Sequence, residues 1–198
     1  TAASGHGTCS LDQTSTGSGV FRLATAGKRV AWLVNEGGNT ESGELLFSST
    51  ATAGRDTILF RSSRRGPDLD TLTGTAIGGL VSDGTRMSYS TWTVTNGAPA
   101  AKGTLRRLPG AKQVASDPAA VVDASADAGH VAVLRADGTV AIFGIAGQTL
   151  QTIAPPPARA IALSGDLLAV LTKLGTVAVY DRTDGTLLHM WPVAAGAT

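Results

Sequence analysis

The sequence predicts an all-β fold that consists of about four repeats of one small antiparallel sheet. Short apolar runs of about five residues alternate with turn residues along most of the chain. Two segments near the C-terminus also repeat one pattern. Composition agrees, because charged residues make up only 16% of the 198 residues and 25 residues are glycine. Low charge and abundant turn residues are typical of a turn-rich β protein and not of a helical bundle.

The repeat is clearest between two segments that lie 37 residues apart. His130–Leu134 aligns with Leu167–Leu171 at that offset, and Asp137–Ile142 aligns with Leu174–Val179. Two features that share one offset indicate equivalent structural units, and a period of roughly 40 residues is in the range of β-propeller blades. Pro155–Pro157 separates the last two units, because proline cannot donate to a strand ladder.

A sheet of four short strands cannot bury both of its faces alone, so stacking around an axis is expected to bury each face against a neighbouring sheet. Residues 1–17 are expected to form a flexible tail, and residues 18–198 a β-propeller domain or part of a larger one. Long hairpin loops are expected at Asn35–Ser42 and Val94–Lys102. The expected units span residues 18–64, 72–115, 116–154 and 157–194.

The fourth unit carries the strongest family signal. An apolar strand spans Gly175–Asp181, a turn follows at Asp184-Gly185, and a second strand ends at Trp191. This pattern resembles the blade repeat of quinoprotein-like and WD-repeat propellers, and the resemblance implies the fold alone. The first three units lack the terminal tryptophan, and the chain has no Trp-Asp dipeptide. The resemblance therefore implies no bound quinone, and we expect no cofactor.

Charge and hydropathy limit the partners. The formal net charge is +1, so no strong field draws the chain to nucleic acid. No stretch reaches the roughly 18 apolar residues of a membrane span. Low charge and abundant Thr, Ser and Gly suit a secreted or cell-envelope protein. The chain starts at Thr1 without an initiator methionine or a signal-peptide pattern, so we expect a processed or truncated chain, and a removed signal peptide is one explanation. Cys9 is the single cysteine, so a disulfide would need a partner outside this sequence.

Five arginines and one tryptophan form the expected partner surface, in units one and two. If the ends of the outer strands converge, the arginines would form a cationic patch for a carboxylate-rich polymer or an acidic partner. A solvated sheet edge guarded by charge is the alternative. Trp92 could line the same surface, or it could belong to the core between sheets together with Trp32, Tyr89 and Trp191. The arginines are Arg61, Arg64, Arg65, Arg106 and Arg107.

Acidic residues give a weaker signal. Three aspartates precede glycine, a pair that could begin a calcium loop but that also supplies the positive φ values of a hairpin turn. Asp68 and Asp70, together with Asp56, could contribute to a cation site, and a solvated loop is the alternative. The turn interpretation is preferred for all three Asp-Gly pairs, which begin at Asp83, Asp137 and Asp184.

Two classes of function remain open. His6, His130 and His189 never stand together at the spacing of metal ligands, and no nucleophile motif occurs, so we assign no catalytic, metal or cofactor residue. The first function is a non-catalytic binding or scaffold module with an unidentified protein, small-molecule or polymer ligand. The alternative is the propeller portion of a quinoprotein-like dehydrogenase or a hydrolase, which rests on fold analogy. The units could form a small closed ring or an open arc of a larger propeller. An open arc would leave two apolar faces bare, so an arc is expected to associate with another copy through these faces or to insert into a partner.

Overall fold

The structure, a computed structural model, describes residues 19–37, 41–50, 57–108, 112–117, 121–144 and 146–193. These residues form β-strands and one 3₁₀ turn, Leu69–Thr71, and none of their helical segments is long enough to cross a membrane. The strands are β1 (Gly19–Ala26), β2 (Arg29–Gly37), β3 (Glu41–Thr50), β4 (Thr57–Arg61), β5 (Ser63–Arg65), β6 (Thr73–Ser82), β7 (Met87–Thr95), β8 (Ala98–Leu108), β9 (Lys112–Asp117), β10 (Val121–Asp127), β11 (His130–Arg135), β12 (Val140–Phe143), β13 (Thr149–Ile153), β14 (Ala158–Ser164), β15 (Leu167–Thr172), β16 (Thr176–Asp181) and β17 (Leu187–Pro192).

The strands pair antiparallel with their neighbours in the chain, which confirms the predicted all-β class. β10 to β13 form one four-stranded sheet, and β14 to β17 form another. The first nine strands form a single sheet in which β5 pairs with both β3 and β6. We define unit one as β1 to β4, unit two as β6 to β9, unit three as β10 to β13 and unit four as β14 to β17. The sequence repeat does not predict that β5 bridges units one and two.

Consecutive units pack face to face, and three apolar clusters lie between them. Inner strands of a stack are sandwiched on both sides, and β12 shows this most clearly, because all four of its residues are at most 1% exposed. The cluster between units one and two includes Leu33 and Tyr89, and the one between units two and three includes Leu105 and Phe143. The cluster between units three and four contains Ala132, Leu134, Val140, Ile142, Ile153, Ala158, Ile161, Leu163, Leu168, Val170, Ala178 and Tyr180.

A buried carboxylate joins units one and two where β5 bridges them. Glu44 of β3 is 6% exposed, and its side chain accepts hydrogen bonds from the Ser62 hydroxyl and the Arg64 guanidinium. It also accepts from the backbone N–H of Ile77 in β6, at 3.3 Å. The Ser62 hydroxyl in turn accepts from the Glu44 backbone N–H at 2.7 Å. Because its partners lie in both units, Glu44 fixes the position of β6 against β3.

Polar side chains of β10 bind the inner edge of the next unit. The first strand of unit four, β14, pairs on one side only, so its outward N–H groups need other acceptors. Three side chains of β10 supply them, at donor–acceptor distances of 2.6 to 2.9 Å. The pairs are Ile161 N–H to Asp123, Leu163 N–H to Ser125, and Gly165 N–H to Asp127.

The hairpins are shorter than the sequence interpretation expected. β7 continues to Thr95 and β8 begins at Ala98, so the expected long loop at Val94–Lys102 is wrong. A two-residue turn replaces it, with φ values of 49° at Asn96 and 73° at Gly97. These values match the type I′ turn that Asn-Gly favours, a signal that was present in the sequence. The strands also extend into the other expected loop, since β2 ends at Gly37 and β3 begins at Glu41.

The aspartates of the Asp-Gly pairs hold their own turns. The Asp137 carboxylate accepts hydrogen bonds from the backbone N–H of Thr139 at 2.8 Å and from its hydroxyl at 2.7 Å. The same arrangement recurs between Asp83 and Thr85. The glycine after each of the three aspartates has φ between 77° and 88°, as the turn interpretation requires. A threonine two residues after the aspartate is therefore part of this turn motif.

Replacement of Glu44 tests the junction of units one and two. We expect Glu44→Ala to lower the free energy of unfolding by about 3 kcal/mol, because the Arg64 charge would stay buried without its partner. The matched control is Glu41→Ala, which removes the exposed ion pair of Glu41 with Arg65 and should cost less than about 1 kcal/mol. Urea titration of both variants measures the difference. Equal losses in the two variants would contradict this role of Glu44.

The turn aspartates predict a pH dependence. The pKa of Asp137 is lowered, mainly because its carboxylate accepts a hydrogen bond from the backbone N–H of Thr139. Burial opposes this shift, whereas the Thr139 hydroxyl and the charge of Arg135 lower the pKa further. A lowered folded-state pKa stabilises the fold above the ordinary aspartate value of about 3.9, and this stability is lost as the pH falls through the folded-state value. At neutral pH we expect the free energy of unfolding of wild type to exceed that of Asp137→Asn by less than about 1 kcal/mol. Thermal melts from pH 7 to pH 2 should show the difference disappear in acid, and a constant difference would exclude this explanation.

Candidate functional site

Two of the predicted arginines, Arg61 and Arg65, line a cleft beside unit one, and Arg64 lies between them in the chain. Arg61 ends β4, and Arg64 and Arg65 lie in β5. The cleft has a volume of about 550 Å³ and opens between the β2–β3 hairpin and the strand break at Ser62. Its lining is polar and consists of Glu36, Gly37, Glu41, Ser42, Gly43, Arg61, Ser62, Ser63 and Arg65.

Glutamates neutralise these arginines. Arg65 donates to Glu41 through both Nε and Nη2, at 3.0 and 2.9 Å. Arg61 lies 3.8 Å from Glu36. Arg64 is bound to the buried Glu44 and donates to the Ser42 hydroxyl at 3.2 Å. The cleft therefore carries as many carboxylates as guanidinium groups and has no net positive field.

The other two predicted arginines lie at the opposite end of the sheet. Arg106 lies opposite Tyr89, near the start of β7. Arg64 lies opposite Gly74, which in turn lies opposite Val94, near the end of β7. Three strand spacings and five residue rises separate Arg64 from Arg106, a distance of roughly 20 Å. The pKa of Tyr89 is raised by burial, and the charge of Arg106 on the neighbouring strand opposes this shift. Arg107 adjoins Ser88 in the next register position.

Trp92 lies apart from both arginine groups. It is half-buried and packs against the apolar cluster between units two and three. Its ring covers Gly78 so closely that a Cβ added to this glycine would lie 2.9 Å from the ring. The structure therefore places Trp92 in the core between sheets, the alternative that the sequence left open for it.

The remaining candidates are scattered. Asp68 accepts a hydrogen bond from the Thr71 hydroxyl at 2.8 Å and begins the 3₁₀ turn that also contains Asp70. His130 begins β11 and is half-buried, and the exposed His189 packs its ring 4.1 Å from the ring of Trp191. Among the described residues, no three potential metal ligands come together. His6, Cys9 and Asp56 lie outside the described residues, as does the expected tail of residues 1–17.

The structure creates a different cationic site between units three and four. A groove of about 380 Å³ opens where the β11–β12 turn, the connection from β13 to β14 and the β15–β16 turn meet. Arg135, Arg159 and Lys173 contribute three positive charges to it, and Asp137 is its single carboxylate. The rest of the lining is Ala136, Gly138, Thr139, Ala154, Pro155, Pro157 and Ala158.

Two of the groove cations, Arg159 and Lys173, are not neutralised as the arginines of the unit-one cleft are. Arg159 and Lys173 are exposed, and neither forms an ion pair within the described part of the chain. The Asp137 carboxylate already accepts two hydrogen bonds from Thr139. Arg135 is half-buried and lies 3.4 Å from the Thr139 hydroxyl, which holds its side chain against the turn. The groove is therefore a positively charged concave site.

No local pattern in the sequence indicates this groove. Its three cations are far apart along the chain, whereas the sequence interpretation looked for arginines that are neighbours, such as Arg64 and Arg65. Arg135 ends a strand, Arg159 lies near the start of β14, and Lys173 begins a turn. Only the packing of unit four on unit three brings these positions together.

No protein-family model and no curated protein sequence matches this chain. Solved structures match its fold. BamB from Moraxella catarrhalis aligns over 93% of this chain and 54% of its own, with 12% identity and a TM-score of 0.53. Apo AztD from Citrobacter koseri aligns over 89% of this chain and 48% of its own, with 17% identity and a TM-score of 0.52.

A computationally designed protein, Ika4, is of similar size. It aligns over 87% of this chain and 95% of its own, with 14% identity and a TM-score of 0.52. The chain thus spans about half the length of BamB and AztD and nearly all of Ika4. Together with the stacked four-stranded sheets, these likenesses show that the chain has a β-propeller fold of the WD-like type.

Proposed function

We propose that this chain is a non-catalytic binding module that holds an acidic, carboxylate-bearing peptide segment in the groove between units three and four. The observation that carries the proposal is the positive charge of Arg159 and Lys173, which are exposed in a groove whose lining contains a single carboxylate, Asp137. Loops and connections held by a rigid scaffold are common binding positions, and this groove is built from such segments.

The shape of the groove supports a peptide ligand. A volume of about 380 Å³ is within the range of small binding sites, which is about 300 to 1,000 Å³. Pro155 and Pro157 stiffen one wall, because proline fixes its own φ. The guanidinium of Arg159 can bind a carboxylate through two parallel hydrogen bonds, and Lys173 can act as a point charge. Two carboxylates on one extended segment would satisfy both.

The cleft in unit one is a weaker candidate for the same ligand. Its arginines already bind Glu36, Glu41 and Glu44, so an acidic ligand would have to displace these carboxylates. The proposal includes an extracytoplasmic location in the cell envelope or extracellular space, which rests on the low content of charged residues.

Charge reversal in the groove tests the proposal. We expect wild type to bind a fluorescently labelled glutamate oligopeptide, and Arg159→Glu/Lys173→Glu to weaken binding by about tenfold or more, because like charges repel the ligand. Fluorescence anisotropy at low and at physiological salt measures the affinity, which should fall with salt since the contacts are ionic.

The matched control makes the same change of charge elsewhere. Lys28→Glu/Arg29→Glu reverses two positive charges at the β1–β2 turn of unit one, and neither residue lines the groove. We expect this control to bind within about twofold of wild type, because screening removes the effect of distant charges. An equal loss of affinity in both double variants would show that only net charge matters, and it would reject the groove.

A further inference from the structure

Equivalent residues of units three and four form matching rows across their sheets. In unit three, Leu134, Val140 and Ile153 lie directly opposite one another on adjacent strands. Leu171, Val177 and Trp191 form the same row in unit four. Residues directly opposite each other on antiparallel strands share a face, so each row lies on the face that points towards the next unit.

The two rows differ in what covers them. Unit four covers the row of unit three, in which Leu134 is 1%, Val140 0% and Ile153 5% exposed. In unit four, Leu171 and Val177 are only half-buried, and Trp191 is 48% exposed. The expectation that Trp191 belongs to the core between sheets is therefore not met by the described residues of this chain. We call this surface the C-terminal face, and it consists of Leu167, Leu171, Val177, Val179 and Trp191.

Unit one exposes a face of the opposite type. Leu23, Trp32, Phe47 and Ile58 form a row across all four of its strands, on the side that points away from unit two. Leu23 is 66% and Ile58 45% exposed, whereas Trp32 is half-buried and stacks on Phe47 with a ring separation of 5.5 Å. Phe47 is itself only 1% exposed, so the exposed part of this row is formed by the two outer strands. We call these four residues the N-terminal face. It corresponds to the face of unit four that packs against unit three.

We infer that the C-terminal face of one copy of this chain docks on the N-terminal face of a second copy. At each internal interface, the face of one unit that points towards the C-terminal end of the stack packs on the opposite face of the next unit. The C-terminal face and the N-terminal face are one such pair, and neither has a partner among the described residues. The contact is therefore head-to-tail, and two copies can satisfy both pairs of faces at once. This inference does not depend on the proposed ligand.

The propeller fold favours a second copy as the occupant. The four units match 54% of BamB and 48% of AztD, so a second set of four units completes a ring of that size. A ring of that size would cover both apolar faces, which soluble proteins rarely leave exposed. One copy then supplies the units that follow unit four, and the other supplies those that precede unit one.

The docking contact should be apolar and not hydrogen-bonded. In unit three, Asp123, Ser125 and Asp127 bind the backbone of the next unit. The corresponding positions of β14 are Ala160, Ala162 and Ser164, which offer one hydroxyl in place of two carboxylates and a hydroxyl. Association should therefore change little with salt, unlike the binding of an acidic peptide in the groove.

Two double variants test the head-to-tail contact. Leu23→Glu/Ile58→Glu places charges on the N-terminal face, and Leu167→Glu/Trp191→Glu places them on the C-terminal face. All four side chains are at least 45% exposed, so the fold should persist, and circular dichroism checks this. We expect wild type to sediment at twice the 19.9 kDa mass of the chain, and each double variant alone to sediment as a monomer.

Mixing the two variants separates a head-to-tail contact from a symmetric one. The N-terminal variant keeps an intact C-terminal face, and the C-terminal variant keeps an intact N-terminal face, so an equimolar mixture should again form dimers. Leu174→Glu is the control, because Leu174 is 85% exposed in a turn outside both faces and should leave the dimer intact. A monomeric wild type, dimers of either double variant alone, a mixture that stays monomeric, or loss of the dimer in Leu174→Glu would each overturn the inference.

Discussion

The structure depends on the burial of each sheet face against a neighbouring sheet. No unit has a core of its own, because its four short strands expose two apolar faces. In β12, Val140 and Ile142 are covered by unit four, whereas Ala141 and Phe143 belong to the cluster with unit two. Full burial of a large apolar side chain contributes about 1.5 to 3 kcal/mol, so one strand draws its stability from two interfaces. The same constraint makes the outer faces of units one and four unfavourable when bare.

Stacking alone does not fix how the units are oriented, and buried polar contacts add this specificity. The inner strand of each unit presents backbone N–H groups that its own sheet cannot satisfy. Glu44 binds Ile77 at the first junction, and Asp123 binds Ile161 at the last. Asp123 also accepts a hydrogen bond from Arg22 of β1 at 2.8 Å, which links unit three to unit one. A shift of one unit against the next would leave these buried groups without partners, which is costly.

The cationic groove is a consequence of the same packing. Where the connection between units three and four meets two hairpin turns, side chains from three distant segments converge. Unit one has the same kind of residues at its own hairpin end, but there the glutamates of β2 and β3 neutralise the arginines of β4 and β5. The two sites thus differ in charge although the folds around them are alike, because the inter-unit groove contains a single carboxylate.

The sequence by itself determined the all-β class, the four strands of each of the last two units and the Asp-Gly turns, because these follow from local patterns: apolar runs, Asp-Gly pairs and an offset of 37 residues. Only the tertiary structure decided which side chains meet. Arg64 and Arg106 are both in the predicted patch but lie at opposite ends of one sheet, since strand register sets their separation. Arg135 and Lys173 had no shared signal and yet line one groove, because the stacking of two units brings them together. Trp191 ends a strand in the family pattern, but whether it is covered depends on the sheet that packs beyond it, which no local pattern encodes.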